Sequence, residues 1–202
     1  MKKTEHSSEL NRRLGSENSE TRQALLDAAE LLMQEEGYGA LSSRRVAERA
    51  GLKQQLVYYY FHTMDDLLLA VFRRRTERGF DYINTLLEKP QPLHQLWKTL
   101  MKQGRGVLTA EFMALAHHNK AIGAEIAQSA QKIRRLEMAL LARALETSGI
   151  KSELYSPAVL SILMLTLSQA LTRERALGIS LGHREMNAVI KHFLELLEPS
   201  EQ

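Results

Sequence analysis

The sequence predicts an all-α protein with a small N-terminal helical domain and a larger C-terminal one. Apolar residues recur at spacings of three and four over most of the chain. Alternation of period two is nearly absent outside residues 57–61. Serine, threonine and proline at helix starts, with glycine at helix ends, divide the pattern into segments of helical length.

The 202 residues are 44% hydrophobic, enough to bury a core in one domain or in a small domain joined to a larger one. Cysteine is absent, which excludes disulfides, thiolate metal sites and a thiol nucleophile. Lys2 and Lys3 are followed by no apolar signal region. The longest apolar stretch, about Pro157 to Leu171, is interrupted by Ser161, Thr166 and Ser168. It falls short of the ~20 residues a membrane span needs. A soluble, cytoplasmic protein with no membrane association is expected.

Residues 1–18 lack apolar periodicity and read as a disordered, solvated arm, with Lys2, Lys3, Arg12 and Arg13 in water. The first helix is expected from Ser19, as N-cap, to Glu36. Leu25, Ala28, Ala29, Leu32 and Met33 form its buried face, and Gly37 and Gly39 stop it. Ser42 caps a second, short helix that buries Val46, Ala47 and Ala50 and turns Arg44, Arg45, Glu48 and Arg49 outward. Gly51 ends it where a left-handed residue is required.

Residues 54–61, QQLVYYYF, would be a strand by β-propensity. No partner strand lies nearby, and a helix places Val57 and Phe61 together at i, i+4, facing the core. Adjacent helical positions diverge by about 100°, so Tyr58, Tyr59 and Tyr60 cannot all be core residues. Tyr58 and Tyr59 are left outward with Gln54 and Gln55. A short helix bearing glutamines and tyrosines, braced by an arginine-rich helix, is a helix-turn-helix reading head. Between Gly37 and Thr63 four cations (Arg44, Arg45, Arg49, Lys53) stand against one acid (Glu48), a local charge of 4 − 1 = +3 that suits phosphates. Glutamine pairs with adenine, arginine with guanine, and tyrosine offers hydroxyls to phosphates and ring faces to thymine methyls.

The stretch ALSSRRVAERAGLKQQLVYYYFHTMDDLL resembles the N-terminal domain of the tetracycline-repressor (TetR) family of bacterial transcription regulators, over residues 20 to about 72. The resemblance implies that Ser43 and Tyr60 contact phosphates and that Arg44, Gln54, Gln55, Tyr58 and Tyr59 face bases. Three positions depart from the pattern. Lys53 stands where a small or polar N-cap is usual, Gln55 where a small residue is common, and Met64 where a phosphate-binding lysine is frequent.

Thr63 to Asp66 form a capping pattern for a fourth helix that runs to about Glu88. Its cluster Arg73, Arg74, Arg75 and Arg78 reads as a solvated face paired in part with Glu77 and Asp81. In the resembled family this helix joins the two domains. Pro90 and Pro92 mark a loop before a helix with Leu93, Leu96, Trp97, Leu100 and Met101 on its apolar face. Phe112, Met113 and Leu115 lie on another short helix. Ile122, Ile126, Ile133, Leu136, Leu140 and Leu141 lie on a long one closing at Ser148-Gly149, and Ser156-Pro157 opens the next. The last helix carries Met186, Val189, Ile190, Phe193, Leu194 and Leu197. With the Ser156 to Leu177 helix it is expected to form a two-fold, four-helix dimer seam.

His117 and His118 point about 100° apart with no ligand at i+4, so no metal site is expected. No cofactor motif and no enzyme constellation appears, and an enzyme is not expected. The division is therefore 1–18 arm, 19–64 DNA-binding domain and 65–202 ligand-binding and dimerisation domain. The leading expectation is a homodimeric repressor on an inverted-repeat, double-stranded operator. A lipophilic small-molecule effector near Leu100, Met113, His117 and Met164 would release it, with the fourth helix as a lever. A regulator of the same fold controlled by a protein partner, and a helical enzyme or carrier with an incidental helix-turn-helix, are the alternatives.

Overall fold

The computed structural model describes residues 19–102, 105–150 and 155–199; the arm expected over 1–18 lies outside the described residues. Among the described residues the chain forms nine α-helices and one 3₁₀ turn, with no strand. It divides into two compact units, the first ending at Arg75 and the second beginning at Thr76.

The first unit contains α1 (Glu20–Glu36), the 3₁₀ turn Tyr38–Ala40, α2 (Ser43–Ala50), α3 (Gln54–Tyr60) and the start of α4 (Met64–Leu86). The Arg22 amide donates to the Ser19 hydroxyl at 3.2 Å and so starts α1, whose Leu25, Leu26, Ala28, Ala29, Leu32 and Met33 are buried. Fully burying each large side chain of such a stripe contributes about 1.5–3 kcal/mol. Gly37 stops the helix with φ 78°, its N–H donating to the Met33 carbonyl at 3.2 Å. α2 begins at the Ser42 cap and packs on α1 and α3. At Gly51 φ is 67°, while a Cβ would meet nothing within 4 Å. The backbone conformation, not space, therefore demands glycine there.

Val57 and Phe61 are buried, as helical spacing requires, and the Arg22 guanidinium sits 5.1 Å from the Phe61 ring centre. Thr63 and Asp66 form a reciprocal capping box. The Thr63 amide donates to Asp66 Oδ2 at 3.0 Å, and the Asp66 amide donates to Thr63 Oγ1 at 3.1 Å. The arginine cluster differs from the expected solvated face. Arg74 is largely buried and pairs with Asp27 (2.8 Å) and Glu30 (2.9 Å) of α1, while Arg75 also reaches Glu30 at 3.5 Å. The acids that hold Arg74 are a helix away in sequence, so spacing within α4 does not reveal them. α4 is continuous from Met64 to Leu86, and the boundary between units falls inside it.

The second unit contains the rest of α4, then α5 (Pro92–Leu100), α6 (Arg105–His118), α7 (Lys120–Ser148), α8 (Pro157–Ala176) and α9 (His183–Leu197). α6, α7 and α8 pack on one another, α9 packs on α7, and α5 on α7 and α8. The core gathers Leu86, Leu93, Leu96, Leu140, Leu141, Leu160, Leu194 and Leu197 among others. α6 spans fourteen residues rather than a short segment. Its buried face is Leu108, Phe112 and Leu115, which leaves Met113 exposed. Asn119 starts α7 by accepting from the amides of Ala121 and Ile122, and Ser156 starts α8 by accepting from that of Val159. The small polar residues of α8 are largely satisfied inside the unit. Ser161 donates to the buried Glu137 at 2.7 Å, Ser168 to the Leu165 carbonyl at 2.9 Å, and Thr172 to the Ser168 carbonyl at 2.6 Å. Among the described residues no helix is long and apolar enough to cross a membrane.

Candidate nucleic-acid interface

α2 and α3 meet across the turn at Gly51, and the side chains they turn outward define the site. Arg44 is 77% exposed, its Nε donating to Glu48 Oε1 at 2.7 Å. That hydrogen bond, reinforced by the carboxylate charge, pushes the Arg44 guanidinium still higher. Arg45 Nη2 lies 2.6 Å from Glu36 Oε1 and 2.8 Å from Oε2, and holds the Glu36 carboxyl below its ordinary value. Arg49 pairs with Glu35 at 2.7 Å. These two acids end α1 and so fall outside the sequence window that suggested a positive patch. Counting them, the four cations face three carboxylates, 4 − 3 = +1. Lys53 is exposed at the N-cap of α3, makes no side-chain capping bond, and has no ion pair among the described residues.

Gln54, Gln55, Tyr58 and Tyr59 are exposed, Tyr58 by 50% and Tyr59 by 44%, which is high for aromatic side chains. Tyr60 is half-buried and meets Tyr59 edge to face, with ring centres 5.0 Å apart. Ser43, which the resemblance sets against a phosphate, is buried. Gln54 Nε2 donates to its Oγ at 2.8 Å, and the Tyr58 hydroxyl lies 3.0 Å from the same oxygen. Seven of the eight residues singled out for DNA thus share the two helices, with Lys53 at their junction.

The four residues expected around a ligand do not converge on one cavity. Met164 lines an apolar cavity of about 230 Å³ together with Trp97, Tyr155, Leu167, Met186 and Phe193. Leu100 borders a separate depression of about 20 Å³. Met113 and His117 are exposed on α6 and line neither the cavity beside Met164 nor the depression beside Leu100. They lie on the side of α6 opposite its buried stripe, a placement that depends on which face α7 and α8 cover. Trp97, expected on the apolar face of α5, also forms part of the cavity wall.

Two helices joined by an Ala-Gly turn, the second displaying glutamines and tyrosines, define a helix-turn-helix DNA-binding protein. Residues 25–71 match the sequence profile of the bacterial regulatory proteins of the tetR family. That region is therefore a DNA-binding domain of the tetR regulatory-protein type. No curated protein matches the chain in sequence. Among solved structures, the fatty acid degradation regulator FadR from Bacillus halodurans superposes with a TM-score of 0.69 at 20% identity, over 93% of this chain and 99% of that one. A TetR transcriptional regulator from Legionella pneumophila gives 0.67 at 21% identity over 89% and 97%. Salmonella enterica GusR gives 0.66 at 16% identity over 92% and 99%. These likenesses show that the fold extends through the second unit.

Proposed function

We propose that the protein is a homodimeric, ligand-responsive repressor, acting in the cytoplasm on an inverted-repeat operator from which a small lipophilic effector releases it. The observation that carries the DNA part is the exposure of Gln55, Tyr58 and Tyr59 on a short helix anchored by the buried Val57 and Phe61. A dimer is supported by the aliphatic face of α8 and α9, where Val159, Ile162, Leu163, Val189 and Leu196 are between 42% and 63% exposed. A small-molecule effector is supported by the apolar cavity lined by Trp97, Met164 and Phe193. Its ~230 Å³ lies below the 300–1,000 Å³ common for such sites and suits a compact ligand. For release, the effector must prefer the arrangement that does not bind DNA, and by reciprocity operator must weaken the effector by the same factor.

Control by a protein partner is the second reading. The α8–α9 turn favours it by exposing Leu177 (72%), Ile179 (47%) and Leu181 (95%).

Selection of bound duplexes from random DNA tests the first claim, with a palindromic consensus as the expected result. A sequence-independent pool would overturn it. Titration of a lipophilic ligand with and without saturating operator tests the switch; identical affinities would remove the effector account and move the partner reading ahead.

A further inference from the structure

We infer that Ser43 is a positioning residue for sequence readout, holding Gln54 so that its carboxamide presents one acceptor and one donor to a single adenine. This rests on the DNA-binding reading. Ser43 is the first residue of α2, whereas Gln54 and Tyr58 lie at i, i+4 on α3 and so share one face. All three meet at one buried oxygen, with Gln54 Nε2 at 2.8 Å and the Tyr58 hydroxyl at 3.0 Å. A serine hydroxyl offers one proton and two lone pairs; Gln54 takes one lone pair, and Tyr58 takes either the other lone pair or the proton that a DNA phosphate would need. Ser43 is only 7% exposed, as a member of the protein interior would be.

The consequence falls on Gln54. A glutamine on a surface helix samples many rotamers, and freezing one on binding opposes association. Here one amide proton is already committed to Ser43, and Oε1 and the second proton have no further hydrogen bond among the described residues. That remaining pair matches adenine in the major groove, where Oε1 accepts from N6 and the N–H donates to N7. Gln55, next along α3, is exposed and has no such tether among the described residues. The two adjacent glutamines are therefore unequal: Gln54 is pre-set for one base, and Gln55 is adaptable.

The test compares base preferences of the full-length protein by selection from random duplex DNA, followed by titration of the four base-pair variants at each consensus position. Gln54→Ala should flatten the preference at one A·T pair in each half-site. Ser43→Ala should flatten the same pair by about fivefold or more, the low end of what a bidentate side chain and base confer. The double variant should be no flatter there than Gln54→Ala alone, because both changes disable one contact. Ser43→Thr, which keeps the hydroxyl, should preserve the preference. Thermal unfolding of each variant separates lost folding from lost readout. A Ser43→Ala protein that binds all sequences more weakly with its profile unchanged, or whose profile flattens at a different pair from Gln54→Ala, overturns the assignment and returns Ser43 to a phosphate-contact or purely structural role. A wild-type protein without any sequence preference overturns the regulator reading itself, and the assignment with it.

Discussion

Arg74 of α4 lies 2.9 Å from Glu30 of α1, forty-four residues earlier, with side chains only 11% and 14% exposed. The pair ties the middle of α4 to the first helix inside the N-terminal unit. Buried ion pairs cost desolvation when made, and removing one partner leaves a stranded charge. Arg74→Ala should lower stability by about 2–3 kcal/mol, somewhat under the range for fully buried pairs. Replacing both residues, as in Arg74→Met with Glu30→Leu, should recover a good part of the loss. Urea unfolding checks both; an additive double variant would show that Glu30 is not the relevant partner.

Glu198 plays a comparable part in the second unit. Its carboxylate accepts from the Leu93 amide at 2.8 and 3.1 Å and from the His94 amide at 3.2 Å, capping the N-terminus of α5 from the far end of the chain. The positive end of the helix dipole favours that charge. Glu198→Ala should cost about 1–2 kcal/mol, and Glu198→Gln less. A melting temperature unchanged in both variants would contradict the cap.

Acid should weaken the junction of α1 and α2. Glu36 sits below its ordinary value of 4.5 chiefly because it accepts a hydrogen bond from Arg45, aided by the Arg45 and Arg49 charges. A carboxyl depressed in the folded state gives stabilisation that is fully present above its unfolded value and is lost as pH falls through the folded one. Glu36→Gln should therefore be slightly less stable than wild type at neutral pH and lose less between about pH 5 and pH 3. The exposed pair makes this a small effect. Parallel acid limbs in chemical unfolding would refute it.

α9 has two apolar faces with different fates. Ile190 and Leu194 belong to the core, whereas Val189 and Leu196 are 63% and 47% exposed. Val189→Asp combined with Ile162→Asp should leave circular dichroism unchanged but convert the proposed dimer to monomer in sedimentation and weaken operator binding. Ile190→Asp should instead destabilise the fold, because it buries a charge. A wild-type monomer at micromolar concentration would overturn the seam.

Features confined to one helical turn are legible in the sequence alone. The caps at Ser19, Ser42, Ser156 and the Thr63 and Asp66 pair, the glycine stop at Gly51, and the inward Val57 and Phe61 all depend on residues three or four apart, where helix geometry decides the outcome. The same local rule turns Gln54, Gln55, Tyr58 and Tyr59 outward. Tertiary structure alone decides what those residues meet. Ser43 turns inward to Gln54 and Tyr58, Arg45 and Arg49 find acids at the end of α1, and Glu198 reaches Leu93 across 105 residues. Glu137 interrupts the apolar stripe of Ile133, Leu136, Leu140 and Leu141 on α7, and packing against α8 brings that carboxylate a bond from Ser161 at 2.7 Å. The cavity behind Met164 also needs side chains from α5, α8 and α9 brought together. Helical periodicity assigns each residue a face, but which neighbour covers that face is set by the packing of helices distant in sequence.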